Sequence, residues 1–426
     1  MQAPTRTDLS NWLVHFVHDR NPENDPSQFF VGDIPDRDYM PVPIGFKKSG
    51  EPMFTDWDSY EEHYGTLEPD APAISVLQNI VRQGFLRAGW SFRDQKATIY
   101  GPWPVVCFTE MPFYALLDYA RTRSNDGLVS TYGIALLRSE LFAAGARPVI
   151  YGLSTAHKEA DGADPYAGKG FRCLAQSCAL GLEEQYRYVA TRLTGSRPID
   201  WTHEREWRWP LAEPDQWVPG LPVWLNHEKQ TFSQVVVFVN TGEEVDQILG
   251  QLKLLHDRSS NQFDSSVDRA LAARARVISL EELREFANLE TVRFDELPFH
   301  QLKKIPRVKA SDAVKQKVAS ALAEAARVAE AAGRKALATA NRTKYGNIAD
   351  VCGRADVITY ETGTEVTAAL LELKVAEAND DGYILRGLDL PFLDQALCIA
   401  EASAIAAAEY LTQTLGQKFY DRSRVD

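Results

Sequence analysis

The chain is poor in cysteine, and the few it has do not form a recognisable pattern. Its 426 residues include five cysteines, an odd number scattered from the first third of the chain to the last. No CxxC pair occurs, so the spacing speaks against a structural zinc site and against a disulfide framework. We expect a reducing compartment.

Targeting and membrane-spanning segments are also missing from the sequence. The first residues, MQAPTRTDLSNW, lack the basic start and apolar core of a signal peptide. No run approaches the roughly 18 apolar residues that a membrane span needs. We expect a cytoplasmic protein without a membrane partner. The net charge of -13 argues against a dedicated sequence-independent DNA-binding protein and leaves room for a local basic surface.

The chain has neither a Gly-rich phosphate loop nor a regular alternation of strands and helices. Predicted strands mix with helices without a βαβ rhythm and lie at 11–18, 104–110, 131–137 and 235–239. This pattern predicts an α+β fold instead of a doubly wound one. We assign the first domain to 1–300, with a polar insertion over 19–72 that is long enough to be functional. A helix is predicted over 173–193.

An alanine-rich segment at 301–344 separates this domain from the rest of the chain. Between Arg307 and Lys344 there are nine lysines and arginines against three acidic residues. One interpretation is a solvated linker helix, and the other is a basic face for nucleic acid or an acidic partner protein. The remaining residues, 345–426, predict a small α/β module for interaction or specificity. A strand is expected at 355–360, with helices at 364–378 and 393–415.

The stretch WTHEREWRW at 201–209 concentrates two carboxylates among three tryptophans. If it is a strand throughout, Glu204, Glu206 and Arg208 project to one side, because side chains alternate. A buried carboxylate needs a partner. The stretch is therefore either a solvated edge strand with an internal Glu–Arg pair or a strand whose carboxylates face a cleft.

Other candidate site residues each have a structural explanation beside the functional one. His15 is a core histidine or a catalyst, and Glu110, where a strand ends, is a binding carboxylate or a helix cap. Cys107 lacks a histidine context and is expected to be buried and inert. Tyr132 is a core aromatic residue or a ligand contact, and Arg147 is solvated or contacts an anion.

Three interpretations combine these residues. In the first, His15 and a glutamate on a late strand bind NAD, and the carboxylate stabilises the oxocarbenium-like centre as nicotinamide leaves. In the second, Glu110, Glu204 and Glu206 bind a cation such as Mg²⁺ for phosphodiester cleavage. In the third, the chain is a non-catalytic binding protein and the charged strand is a structural ion-pair network.

A series of motifs over about 8–240 resembles the AbiGi-like abortive-infection proteins of bacteria. The motifs, in chain order, are HFV, NIVRQGFL, VVCFTEMPFYALLDYA, YGIALLRSELFAAGARPVIY and WTHEREWRW. The resemblance implies a role in phage defence or in a toxin–antitoxin-like system. AbiGi itself is classed as an antitoxin, which favours the non-catalytic interpretation. The segments GYILRGLDL and DQALCIAEASAIAAAEYLTQTLGQKFYDRSR resemble a separate uncharacterised bacterial domain.

More distantly, the layout resembles the DarT-type DNA ADP-ribosyltransferases. These proteins begin with a histidine-bearing strand and carry the catalytic glutamate on a late strand, and ERE has the E-x-E form of many mono-ADP-ribosyltransferases. The resemblance implies an ADP-ribosyltransferase-like first domain, with Glu206 catalytic, Glu204 its partner and His15 on NAD. The predicted NAD contacts are His15, Thr109, Glu110, Tyr132 and Arg147.

The leading hypothesis is therefore a phage-defence enzyme that transfers ADP-ribose from NAD to a nucleic acid or protein, or hydrolyses NAD. A non-catalytic antitoxin-type protein and a metal-dependent nuclease are the alternatives. The linker helix or the C-terminal domain would bind any partner defence protein. The enzyme hypothesis predicts that Glu206 and His15 share one cleft and lie within about 10 Å of each other.

Overall fold

The computed structural model describes 10–20, 42–47, 49–55, 67–68, 70–93, 96–110, 131–194, 198–213, 218–228, 232–258, 260–261, 263–285, 296–302, 308–379, 381–386, 388 and 396–425. Its contacts divide the chain into two compact units. The first comprises 1–252 and 259–304, and the second comprises 253–258 and 305–426. None of the described helices is both long and apolar enough to cross a membrane.

The first unit has a seven-stranded, largely antiparallel sheet. The unit's strands are β1 (Trp12–Val17), β2 (Val42–Phe46), β3 (Pro52–Thr55), β4 (Phe85–Arg87), β5 (Phe92–Arg93), β6 (Lys96–Ala97), β7 (Val105–Thr109), β8 (Tyr132–Leu137), β9 (Arg147–Pro148), β10 (Ile150–Tyr151), β11 (Tyr188–Val189), β12 (Glu206–Pro210), β13 (Gly220–Pro222), β14 (Val235–Val239) and β15 (Arg276–Ser279). The main sheet has the order β15-β14-β8-β1-β7-β12-β9. Only the β14–β15 pair in it is parallel among the described pairings.

Helices accompany this sheet without a regular βαβ alternation. They are α1 (Ala73–Gln83), α2 (Arg138–Ala143), α3 (Gly242–Arg258), α4 (Arg269–Arg274) and α5 (Leu280–Leu283). Helix α1 ends at Gly84, whose φ of 82° lets its N–H bond to the carbonyl of Ile80. Helix α5 begins with a capping box formed by Ser279 and Glu282. The α+β prediction is confirmed at this level.

The two faces of the main sheet follow from its register. Opposite residues of an antiparallel pair project to the same face, and neighbours along a strand alternate. Thr109 lies opposite both Val14 and Glu206, so all three belong to what we call the front face. The neighbour of each along its strand projects to the back face: His15 on β1, Phe108 on β7 and Trp207 on β12.

The second unit is a four-stranded sheet packed against helices. Its elements are α6 (Asp312–Thr339), β16 (Gly353–Thr359), α7 (Glu365–Glu372), β17 (Ala376–Ala378), β18 (Tyr383–Leu385), α8 (Leu397–Leu415) and β19 (Tyr420–Val425). The sheet has the order β17-β18-β16-β19. Alanines on α6 and α8 pack in one core with inward-facing Ala355 and Val357 of β16. Small side chains let the two helices approach closely.

Three predicted elements differ from the structure. The helix predicted at 364–378 ends at Glu372, and Ala376–Ala378 is strand β17. Helix α6 is not a linker, because Val318, Ala325 and other residues along it are buried in the core of the second unit. Residues 173–193 form two short 3-10 turns and β11 instead of a helix. The predicted insertion at 19–72 lies largely outside the described residues, and its described part includes the β2–β3 hairpin.

Candidate functional site

Three neighbouring strands carry most of the predicted site residues. Strand β7 lies between β1 and β12 in the main sheet. The sheet therefore brings the strand of His15, the strand that leads into Glu110 and the strand of Glu206 side by side. Which side chains meet depends on the face to which each one projects.

The charged stretch at 201–209 is a turn followed by a strand. Residues Thr202–Glu204 form a 3-10 turn, and Arg205 has a left-handed φ of 45°. Strand β12 begins only at Glu206, so alternation does not extend back to Glu204. The main-chain carbonyl of Glu204 accepts a 2.5 Å hydrogen bond from the hydroxyl of Thr109. Thr109, predicted as an NAD contact, is buried and anchors this turn.

Glu206 and Arg208 form a buried ion pair on the front face. The Arg208 Nε lies 2.7 Å from the Glu206 Oε1, and the two side chains are 6% and 14% exposed respectively. A second bond joins the Arg208 Nη2 to the Glu206 Oε2 at 3.3 Å. The Arg208 Nη1 donates to the carbonyls of Tyr186 and Tyr188 at 2.6 and 3.2 Å. The carboxylate predicted to be catalytic is therefore held by its own strand neighbour.

Burial and charge determine the protonation of the groups around this ion pair. Burial alone would lower the pKa of Arg208, but the Glu206 carboxylate raises it. Burial, and then Glu206, raises the pKa of the Cys107 thiol, which is therefore protonated and unsuited to nucleophilic attack. The Tyr151 hydroxyl accepts a 2.7 Å bond from the Glu206 N–H. Burial raises the pKa of Tyr151 to about 12; the hydrogen bond from the Glu206 N–H opposes this rise, and the Glu206 and Glu204 carboxylates add to it.

His15 projects to the opposite face from Glu206. Its Nδ1 donates to the carbonyl of Cys107 at 2.8 Å, and its ring packs edge-on against Phe108 with centroids 5.8 Å apart. Burial lowers the pKa of His15 to about 4, so the ring is neutral at neutral pH. The expectation that His15 and Glu206 share one cleft is therefore wrong. The register is the reason, since Val14, not His15, lies opposite Thr109.

The back face has a carboxylate of its own at the end of β7. Glu110 forms an ion pair with Arg138, the first residue of α2. Its Oε2 accepts a 2.8 Å hydrogen bond from the indole N–H of Trp207. A cleft of about 430 Å³ opens beside these residues, lined by Asn11, Leu137, Arg138, Ser139, Phe142 and Trp207. Phe142 presents half of its surface to solvent in this cleft.

Tyr132 and Arg147 do not line the cleft, and both have structural partners; those of Arg147 include the cleft residue Phe142. The Tyr132 hydroxyl donates to Glu244 at 2.7 Å, and Glu244 also accepts bonds from the backbone at the start of α3. Burial, and then Glu244, raises the pKa of Tyr132. Arg147 donates to the carbonyls of Phe142 and Ala146, both at 2.7 Å, and its guanidinium lies 4.0 Å from the centre of the Phe142 ring.

The predicted metal site is not assembled by its three glutamates. Glu110 lies on the back face, whereas Glu206 lies on the front face and is paired with Arg208. Within the described residues, no group of three or more histidine, cysteine, aspartate or glutamate side chains is arranged to hold a metal ion. This removes the geometric basis for Mg²⁺ bound by Glu110, Glu204 and Glu206.

The cleft contains residues that sequence reasoning did not single out. Arg138 and Phe142 lie on the short helix α2, and nothing in the local sequence marked either residue as part of a site. Strand alternation places Trp207 on the face away from Glu206, and this was the available sequence signal for a site on the back face.

No family model, no curated protein and no solved structure matches the chain.

Proposed function

We propose that the first unit binds a nucleotide, with NAD the candidate, in the back-face cleft. One observation carries the proposal: a guanidinium and two aromatic rings line the same 430 Å³ space, and the Glu110 carboxylate is bonded to two of these side chains, Arg138 and Trp207. Cavities of a few hundred cubic ångströms with an apolar wall and few polar groups are typical of small-molecule sites. Glu110 replaces Glu206 as the carboxylate of this site.

The base, phosphate and ribose of a nucleotide each have a complementary group in the cleft or bonded to its lining. The half-exposed ring of Phe142 offers a stacking surface to a base. The Arg138 guanidinium offers charged donors to a phosphate. Glu110 already accepts bonds from Arg138 and Trp207, but a carboxylate has about four acceptor sites and can also accept a ribose hydroxyl.

Transfer of ADP-ribose is the second candidate function, and the Glu110 carboxylate, bonded to two residues of the cleft, favours it. In this reaction the bond between nicotinamide and the ribose C1′ breaks, and nicotinamide leaves with the electron pair. An acceptor oxygen of a protein, a nucleic acid or water forms the new bond and releases a proton. A carboxylate near C1′ stabilises the oxocarbenium-like centre. A role in phage defence rests on the resemblance to AbiGi-like and DarT-type proteins.

Calorimetric titration of the full chain with NAD tests the binding proposal. Glu110→Gln and Arg138→Gln are expected to weaken NAD binding at least tenfold. The first removes the charged acceptor for a ribose hydroxyl and the ion-pair partner that holds Arg138, and the second removes the guanidinium offered to a phosphate. The matched control is Glu159→Gln, which removes the carboxylate of another partly exposed Glu–Arg pair in the same unit. Failure of NAD to bind at 1 mM, or equal binding by all three variants, would overturn the proposal.

The same samples separate the enzyme from the binding protein. Nicotinamide release that Glu110→Gln abolishes supports the transferase or hydrolase. Binding of NAD without nicotinamide release, with candidate acceptors present, assigns the chain to the non-catalytic defence proteins instead. Loss of turnover in Glu206→Gln with unchanged folding and unchanged turnover in Glu110→Gln would return the catalytic role to the front face.

A further inference from the structure

The outer face of the second unit's sheet carries arginines and tyrosines in register. Ala355 and Val357 of β16 face the helices, so Arg354 and Asp356 project to the other side. Register places Arg424 of β19 opposite Arg354, and Arg422 opposite Asp356. Three arginines of two neighbouring strands therefore share this face.

Arg354 and Arg424 face each other, and no ion pair with either is formed within the described residues. Both are exposed, and no carboxylate or carbonyl among the described residues pairs with either guanidinium. Like charges directly opposite each other across an antiparallel pair destabilise the sheet. The neighbouring Arg422 differs, because it lies 3.1 Å from Asp381 and opposite Asp356. An anion bridging Arg354 and Arg424 would relieve their repulsion.

Two exposed tyrosines extend the same face. Tyr420 lies four residues before Arg424 on β19, and Tyr360 directly follows β16. They are 43% and 45% exposed, and their ring centroids are 5.4 Å apart. Same-face residues two apart on a strand are separated by about 6.8 Å. The surface thus presents aromatic rings and guanidinium groups along one line.

We propose that this face, formed by Arg354, Arg422, Arg424, Tyr360 and Tyr420, binds single-stranded nucleic acid. Exposed aromatic rings stack on unpaired bases, and arginines contact the backbone. A duplex hides its base faces, so the tyrosines favour a single strand. The proposal does not depend on the nucleotide site of the first unit.

The charge distribution is compatible with a polyanion on the second unit. This unit holds 17 lysines and arginines against 18 aspartates and glutamates, so its net charge is -1. The total of -13 therefore leaves -12 in the first unit. Overall acidity thus does not extend to the unit that carries the arginine–tyrosine face.

Fluorescence anisotropy of the full chain with labelled 15-nucleotide DNA and RNA strands tests the proposal. The double variant Arg354→Gln/Arg424→Gln is expected to bind at least tenfold more weakly. Its slope of log affinity against log salt should become shallower by about 1.4, since each lost single-strand phosphate contact contributes about 0.7. Tyr420→Ala is expected to weaken binding roughly fivefold or more.

Two controls remove comparable side chains elsewhere in the second unit. Arg327→Gln changes an exposed arginine of α6, and Tyr345→Ala changes a tyrosine that is 78% exposed. Both are expected to bind like the unchanged chain. Absence of binding at 0.1 mM protein, equal loss in the control variants, or tighter binding of a duplex of the same length would each overturn the proposal. So would equal competition by polyglutamate of matched charge.

Discussion

Glu206 and Arg208 show at the scale of single residues how a catalytic-looking motif can be structural. The pair is almost fully buried, and the remaining donors of Arg208 reach two backbone carbonyls. Breaking such a pair by removing one partner is costly, because the other charge stays buried. The stability effect of a substitution therefore distinguishes a structural carboxylate from a catalytic one.

We predict that Glu206→Gln lowers the free energy of unfolding of the first unit by about 3 kcal/mol. Urea unfolding followed by tryptophan fluorescence measures this quantity, because all nine tryptophans lie between Trp12 and Trp224. Glu159→Gln, in the more exposed pair with Arg172, is expected to cost no more than about 1 kcal/mol. Unchanged stability of Glu206→Gln would contradict the structural role.

His15 gives a second prediction at this scale, in the dependence of stability on pH. Its pKa is about 4 in the folded chain and about 6.5 when unfolded. Between these values the unfolded chain binds a proton that folded His15 does not. The contribution of neutral His15 to the free energy of unfolding is therefore fully present above pH 6.5. As the pH drops to 4, this contribution falls by about 3 kcal/mol.

The comparison variant for this pH effect is His15→Gln, whose amide can still donate to the Cys107 carbonyl. Urea unfolding at several pH values between 7 and 4 should show a smaller loss of stability in His15→Gln than in the unchanged chain. Identical pH profiles for the two proteins would show that His15 titrates normally in the fold.

At the scale of elements, helix α6 shows why composition misled the domain assignment. Its alanines and charged residues are typical of a solvated helix, and the pairs Glu324–Arg327 and Glu330–Arg334 do lie on an exposed side. Its other side is buried along its length. Alanines occur on both sides of α6, so its sequence does not show which side is buried. The buried side is the one that packs against the small residues of helix α8.

Leu322 provides the test of this packing. It is 6% exposed within the core of the second unit. Leu322→Ala is expected to lower the free energy of unfolding by about 2 to 5 kcal/mol, since it leaves a cavity. Far-UV circular dichroism during urea unfolding measures the effect, because the two longest described helices, α6 and α8, belong to this unit.

Arg327→Ala on the exposed side of α6 is the matched control for Leu322→Ala. It removes a larger side chain than Leu322→Ala does, but it breaks only a surface ion pair. It is expected to change the free energy of unfolding by less than about 1 kcal/mol. Equal effects of the two substitutions would show that α6 is the solvated linker that its composition predicts.

At the scale of the whole molecule, the two units differ in charge and in architecture. The first has a large mixed sheet and carries -12 of the net charge, and the second is a nearly neutral sheet-and-helix unit. Each unit has its own proposed ligand. A small nucleotide is proposed for a cleft of the first unit, and a single-stranded polyanion for the arginine–tyrosine face of the second.

Several features were determined by local sequence alone. The apolar runs at 12–17, 105–109 and 235–239 are strands because branched and aromatic residues suit a buried pleated surface. Gly84 and Gly416 end helices because glycine readily adopts a left-handed backbone conformation. The irregular mixture of these elements was sufficient for the α+β prediction.

Tertiary structure alone decided which side chains meet. Alternation within a strand is local, but the pairing of Val14 and Glu206 with Thr109 joins residues distant in the sequence. A shift of one residue in either pairing would exchange the faces of its strand. This register separated His15 from Glu206 and brought Trp207 to Glu110, because the contacts that set it lie outside any short stretch of sequence.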